Sequence, residues 1–336
     1  MVLTTPLIAY LAKRGAVDVL CTPAASALLA NHPAVRETIV YDKRGADRGV
    51  GGTFRMAAQL RARAYDSAYF AQGSVRSGAL GALARIRDRV GFATSAGRRF
   101  YTTRIPPIDN THHAARLLAL GARDASREWS REELRPRLYP GRAERAAVDD
   151  VLGNAAYGER LIALAPGSVW ATKRWPYYPE LARELASLGR VVVIGASGDR
   201  ELATTIVGAT HGQAIDGTGR LSLLASAELI GRAAVLVTND SAPLHLASAM
   251  NTPTLAIFGP TVPEFGFGPL ADRSVVAGLD SLACRPCDRH GPQKCPLGHW
   301  RCMREITPDA LARRAEALVR DHTDRTDLTD LSLRDS

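Results

Sequence analysis

Between Ala233 and Phe258 the chain reads as an apolar run, a polar turn, a short helical stretch and a second apolar run, an order that few architectures other than a parallel α/β sheet accept. Asp240 and Ser241 are N-cap residue types, and Pro243 falls where a first helical turn tolerates a missing donor, so a helix is predicted over 242–250. Its unpaired N–H groups and positive dipole end would face the carboxyl edge of the sheet, where open α/β folds bind phosphorylated ligands. His245 lies one turn in, on the face that carries Ser241, within reach of a ligand at the helix start. A core histidine is the alternative.

The same alternation runs through the whole sequence. Helical spacing at 6–14, 24–30, 52–63 and 77–87 alternates with strand-like runs at 17–21, 38–41 and 67–71. After a charged stretch broken by Pro136 and Pro140 the pattern resumes: strands at 161–165, 190–194, 235–238 and 254–258, helices at 179–188, 222–231, 242–250 and 308–320. The reading is α/β, two doubly wound domains facing a cleft: 1–154, 155–320, and a frayed tail at 321–336. No run approaches the length of a membrane span, and Lys13, Arg14 and Asp18 interrupt the first twenty residues as a signal, so a cytoplasmic protein is expected. The formal charge of +9 favours anionic partners. Arginines are scattered and only 6% of residues are aromatic, so stacking platforms for nucleic acid are scarce and nucleic acid is not expected.

A second strand-to-helix loop follows 161–165. Its residues 166–176 include Ser168, Thr172 and Lys173, a hydroxyl and ammonium set suited to a pyrophosphate whose negative charge grows as it leaves. The segments 165–176, Asn239-Asp240-Ser241-Ala242-Pro243-Leu244-His245-Leu246-Ala247 and Phe258-Gly259-Pro260-Thr261 resemble the ADP-heptose:lipopolysaccharide heptosyltransferases of glycosyltransferase family 9, within them the heptosyltransferase II type, over nearly the whole chain. The resemblance implies the GT-B fold and inverting transfer of heptose from ADP-heptose to the heptose/Kdo inner core of lipopolysaccharide, in a protein peripheral to the inner face of the inner membrane. It further implies donor contacts from Ser168, Thr172, Lys173, Asp240, Ser241, Ala242 and His245, with glycine usual where Ala242 stands. Of Ser197, Asp199 and Glu201, Asp199 is favoured for one more donor contact. Another nucleotide-sugar donor, or a donor-binding protein without activity, are the rival readings.

The family's opening strand and Gly-Asp turn have no counterpart before Thr4-Thr5-Pro6, and that aspartate is the family's general base, a contribution of roughly 10²–10⁴ in rate. A start codon placed too late, or a true truncation with weak or no activity, would explain this; the first is favoured. Without that strand the sheet should be open at neighbouring edges. Asp66 precedes a strand and sits at the wrong sheet end to substitute. Gln72, Ser74 and Arg76, after the 67–71 strand, are expected to hold the anionic acceptor with the arginines of a 76–89 helix.

Cys284, Cys287, Cys295 and Cys302 allow two readings, a structural zinc site or packed thiols that stabilise the loop. Cys21 reads as core. No Asp-x-Asp pair occurs, so no cofactor or divalent ion is expected to be required for donor binding.

Overall fold

The computed structural model describes residues 1–156 and 158–331, with side chains through Arg320. Two compact units divide between Tyr139 and Pro140. The first contains α1 (Thr5–Ala12), β1 (Asp18–Cys21), α2 (Pro23–Ala27), β2 (Glu37–Val40), α3 (Gly49–Ala62), β3 (Ser67–Tyr69), α4 (Val75–Leu83), β4 (Asp88–Phe92), β5 (Thr103–Ile105), α5 (His113–Ala122) and α6 (Arg131–Leu134). The second contains α7 (Arg142–Leu152), β6 (Leu161–Ala165), α8 (Tyr178–Leu185), β7 (Arg190–Val193), α9 (Arg200–Ala209), β8 (Ile215–Asp216), α10 (Leu223–Arg232), β9 (Ala233–Asn239), α11 (Ala242–Met250), β10 (Thr254–Ile257), β11 (Ser274–Ala277), α12 (Arg301–Arg304) and α13 (Pro308–Leu331).

The expected boundary near 155 is displaced toward the amino terminus. Helix α7 belongs to the second unit because its apolar face packs on α10, and Asp149 pairs with Arg232 at 2.5 Å. The tail reading changes too: the backbone of α13 is helical to Leu331, and only 332–336 of the expected frayed tail lie outside the described residues.

In the second unit six parallel strands run in the order β11-β10-β9-β6-β7-β8, that of a doubly wound nucleotide-binding sheet. All five residues of β6 and all seven of β9 are buried, as expected for strands covered on both faces. Ile162, Leu164, Val191 and Val193 pack under Leu181, Leu185, Leu311 and Leu318 of α8 and α13, and Leu244 of α11 covers Ala256 on the other face. Each large aliphatic side chain so buried contributes about 1.5–3 kcal/mol. Because β7 leaves β6 on one side and β9 lies on the other, the order reverses between β6 and β9, and a crevice opens at their carboxyl ends.

In the first unit the parallel strands form two sheets, β1-β2 and β3-β4-β5, rather than one continuous doubly wound sheet. No strand among the described residues joins β1 to β3. One helical layer still serves both: Ile39 and Tyr41, with Leu20 and Ala68 against them, pack on Met56 and Leu60 of α3 and Leu80 of α4. Cys21 closes β1 and is buried. Helix α4 stops at Leu83, short of the predicted end, because the chain turns through Arg85 at φ 59° and enters β4 at Asp88. The arginines assigned to a 76–89 helix are thereby separated. Arg89 lies on β4 and donates to the Phe100 carbonyl at 2.6 Å, at the sheet edge opposite the start of α4.

Candidate functional site

The carboxyl ends of β6 and β9 carry the two loops singled out from sequence, and one buried side chain sets their spacing. Asn239 ends β9; its amide nitrogen donates to the Pro166 carbonyl at 2.8 Å, and its amide oxygen accepts from Trp175 N–H and the Tyr178 hydroxyl, each at 3.3 Å. Trp175 is pinned from the other side by its indole N–H donating to the Ile306 carbonyl at 3.0 Å. The loop from 166 to 175 is thus fixed to the end of the neighbouring strand.

Directly after Asn239 the chain places Asp240 opposite Lys173. Lys173 Nζ donates to Asp240 Oδ2 at 2.6 Å, and Thr261 Oγ1 donates to the same oxygen at 2.7 Å. The two ionic side chains are only 9% and 11% exposed, so each needs the other to offset desolvation. Lys173 is not the solvated cation that its loop position suggests; it arrives as half of a neutral pair. Helix α11 then begins, capped by Ser241 in extended backbone with no side-chain cap bond, and its first-turn donors are directed to the crevice.

These groups line one cavity of about 340 Å³. Ser168, Lys173, Asp240, Ser241, Ala242 and His245 all lie on its wall. Two expected donor contacts do not. Thr172 is buried and its hydroxyl donates to the Pro292 carbonyl, which ties the loop to the cysteine segment. Asp199 accepts the Ala196 N–H at 2.9 Å and packs against Gly167, where an added Cβ would meet its carboxyl at 2.5 Å. It buttresses the loop from behind.

Sequence reasoning missed the wall formed by the cysteine segment. Arg289 and His290 line the cavity, with the His290 ring stacked on Trp170 at 6.3 Å, and Phe265 and Phe267 supply apolar surface. Gln293 locks the segment down, accepting Ala171 N–H and donating to the Val169 carbonyl, both at 3.0 Å. Gly291, at φ +85°, sits in the left-handed region that favours glycine, and a Cβ there would lie 3.1 Å from the Lys173 stem. Arg285 enters beneath, donating to the Phe258 carbonyl at 3.0 Å and the Thr261 carbonyl at 3.1 Å. Only the close cysteine spacing hinted that this stretch is ordered.

The four cysteines are gathered in this segment, yet among the described residues no three His, Cys, Asp or Glu side chains come together as a metal-ligand set. Cys284 Sγ lies 3.9 Å from His299 Nε2, and Cys287 Sγ donates to the Cys284 carbonyl at 3.2 Å. Burial pushes the Cys302 thiol up to about 11. Burial also acts to raise Cys295, but the N–H groups of Trp300, Leu297, His299 and Gly298 more than offset it and hold that thiol below its ordinary range.

In the first unit, Ser74 caps α4 by accepting the Ser77 N–H at 3.2 Å, and Gln72 and Arg76 are exposed beside it. Lys43, which the sequence did not single out, reaches across to donate to Ser77 Oγ at 3.1 Å. Desolvation and the neighbouring Arg76 charge hold the Lys43 ammonium below its usual range.

The profile of glycosyltransferase family 9 (heptosyltransferase) matches residues 53–299, nearly three quarters of the sequence and both site loops. The chain belongs to this family. Among its relatives are lipopolysaccharide heptosyltransferase 2 of Escherichia coli K12, 27% identical over 320 residues that cover 90% of this chain and 89% of the relative. Lipooligosaccharide heptosyltransferase 2 of Haemophilus influenzae is 28% identical, with 90% of each covered. Among solved structures, the ADP-heptose lps heptosyltransferase II of E. coli superposes with a TM-score of 0.79 at 24% identity over 96% of both chains. The family 9 glycosyltransferase of Veillonella parvula superposes with a TM-score of 0.81 at 21% identity, over 95% of this chain and 94% of that one. This family 9 chain therefore has the GT-B fold and is a glycosyltransferase. No helix among its described residues is long and apolar enough to cross a membrane.

Proposed function

We propose that this glycosyltransferase moves heptose from ADP-heptose to the heptose/Kdo inner core of lipopolysaccharide, with inversion at the anomeric carbon. The observation that carries the reading is the cavity at the start of α11, where backbone donors, Ser168 and the Lys173–Asp240 pair converge as a diphosphate would require. The relatives named as heptosyltransferases supply the sugar. In this reading the diphosphate lies at the α11 N-terminus, Arg289 adds a cation at the rim, and Trp170, Phe265 and Phe267 offer surface to the adenine. The acceptor hydroxyl attacks the anomeric carbon as the bond to the β-phosphate oxygen breaks, its proton passes to solvent water, and the charge left on ADP grows against fixed donors. Gln72, Ser74 and Arg76, joined by Lys43, hold anionic groups of the acceptor from the first unit. Reaction at the inner face of the inner membrane follows from where such an acceptor resides.

The test is transfer from ADP-heptose to mono-heptosylated Kdo-lipid A, read by mass as the gain of one heptose. Competing ADP-glucose or UDP-glucose should not substitute, and chelation of divalent ions should leave the rate unchanged, because no Asp-x-Asp pair is present to hold them. Efficient transfer from another nucleotide sugar would replace the donor assignment.

A further inference from the structure

Arg285 carries a charge that the second unit buries without giving it a buried carboxylate. Its side chain is 6% exposed, and its guanidinium donates to three main-chain carbonyls, those of Leu279, Phe258 and Thr261. Its Nε is buried and makes no hydrogen bond. Among the described residues its ion-pair partner is Asp280, 3.9 Å away and fully exposed, a contact worth little in water. Cys287 and Cys302 feel the charge, but burial raises both thiols, Cys302 to about 11, so neither supplies an anion near neutrality. Arg232 of the same unit shows the contrast, met by Asp149 at 2.5 Å and Glu228 at 2.8 Å. The place of the Arg285 guanidinium is nevertheless built for it: at Gly278 a Cβ would lie 2.9 Å from Arg285 Nη2 and 2.9 Å from the Phe258 carbonyl oxygen. A buried charge answered only by carbonyl dipoles costs stability, so its neighbours on the far side of those carbonyls matter.

Thr261 joins that cation to the cavity. Its main-chain carbonyl accepts from Arg285 at 3.1 Å, while its hydroxyl donates at 2.7 Å to Asp240 Oδ2, the oxygen that also accepts from Lys173. Arg285 therefore stands one residue removed from the Asp240 carboxylate. A diphosphate at the start of α11 competes with Asp240 for Lys173. As the ammonium turns to the phosphates, a buried carboxylate loses its partner, which is costly unless another positive charge is near. We infer that Arg285 is that charge: a positioning residue that holds Thr261 against Asp240 and, by answering the carboxylate, frees Lys173 for the phosphates of the donor. A fixed buried counter-ion on Arg285 would cancel its field at Asp240, which accounts for the missing carboxylate. The purpose assigned to Arg285 rests on the reading of a diphosphate in this cavity, whereas its coupling to Asp240 belongs to the folded chain alone.

The coupling is read first without ligand, by urea unfolding of the full chain. In the parent, where Lys173 already answers Asp240, Arg285→Gln should cost only its carbonyl contacts. In Lys173→Met the same change should lower the folding constant by roughly tenfold more, the size expected for two charges on the order of 10 Å apart at an effective dielectric constant of about 20. That excess should vanish in Lys173→Met with Asp240→Asn, which has no carboxylate left to answer. An equal loss in all three backgrounds would reduce Arg285 to a tie between loops and overturn the assignment. The second reading keeps Lys173 and uses ADP calorimetry on folded single variants. Arg285→Gln should weaken ADP roughly tenfold, and Arg285→Lys, which keeps the charge without the fork, should recover most of that affinity. Affinity lost equally in both variants, or in neither, would also overturn it. Parent protein that shows the unfolding excess but binds no ADP would sink the donor reading and leave the Arg285–Asp240 coupling standing; ADP binding without the excess would sink the inference alone.

Discussion

Asp240 answers to two groups at once, accepting from Lys173 and from Thr261, and it stands at the cavity wall beside the first turn of α11. Asp240→Ala leaves a buried ammonium uncompensated, so a loss of about 3 kcal/mol is expected in urea unfolding, together with loss of transfer. Adding Lys173→Met should restore part of that stability and none of the activity; a double variant no more stable than the single one would show that the pair is not the cause. Lys173 and Asp240 could each be picked out from their loops, but their pairing could not, because nothing in local spacing says that a side chain 67 positions away will neutralise the first. Arg289 and His290 escaped for the related reason that a loop's usefulness depends on what it is folded against. Among the thiols, Cys295 should be alkylated first and Cys302 last. The Cys295 rate should climb through a pH below that of an ordinary thiol, since N–H donors favour the thiolate; peptide mapping after brief iodoacetamide treatment at several pH values decides it.

At the level of elements, β6, β9 and α11 were legible because their burial is complete or their caps are explicit. The run 161–165 is apolar throughout, and Ser241 with Pro243 marks a helix start without ambiguity. Strand β4 was hidden because it opens with Asp88 and Arg89, which look like the end of a polar helix, and β8 is only two residues long. The joint between β6 and β9 was also hidden, since Asn239 reads as one more turn residue. Asn239→Leu would leave the Pro166 carbonyl and Trp175 N–H without partners, at a cost of about 2–3 kcal/mol. We expect ADP affinity to fall along with stability, measured by calorimetry on the folded variant, because the loop carrying Ser168 and Lys173 loses its spacer. Unchanged affinity would mean that the loop is held by Trp175 and the cysteine segment alone.

Over the whole molecule, alternation of strands and helices was enough to reveal two α/β halves, but not their limits. Residues 140–152 look like linker by charge, yet α7 docks on α10 through a face whose partner lies some eighty positions on, at Arg232. The discontinuity between β1-β2 and β3-β4-β5 likewise belongs to tertiary pairing, which no short window of sequence reports. All residues lining the cavity proposed for the donor come from the second unit. Hydrogen exchange with and without ADP should therefore show protection in 166–175, 239–247 and 286–293, and little change across 1–139; equal protection in both units would require donor contacts from the first. The neutral Lys173–Asp240 pair has a bearing on turnover as well. In the proposed reaction a bare lysine would grip the leaving diphosphate hardest at the moment when it must depart, whereas a lysine already answered by its own carboxylate would steady the growing charge and still release ADP, so that the next donor would find the crevice empty.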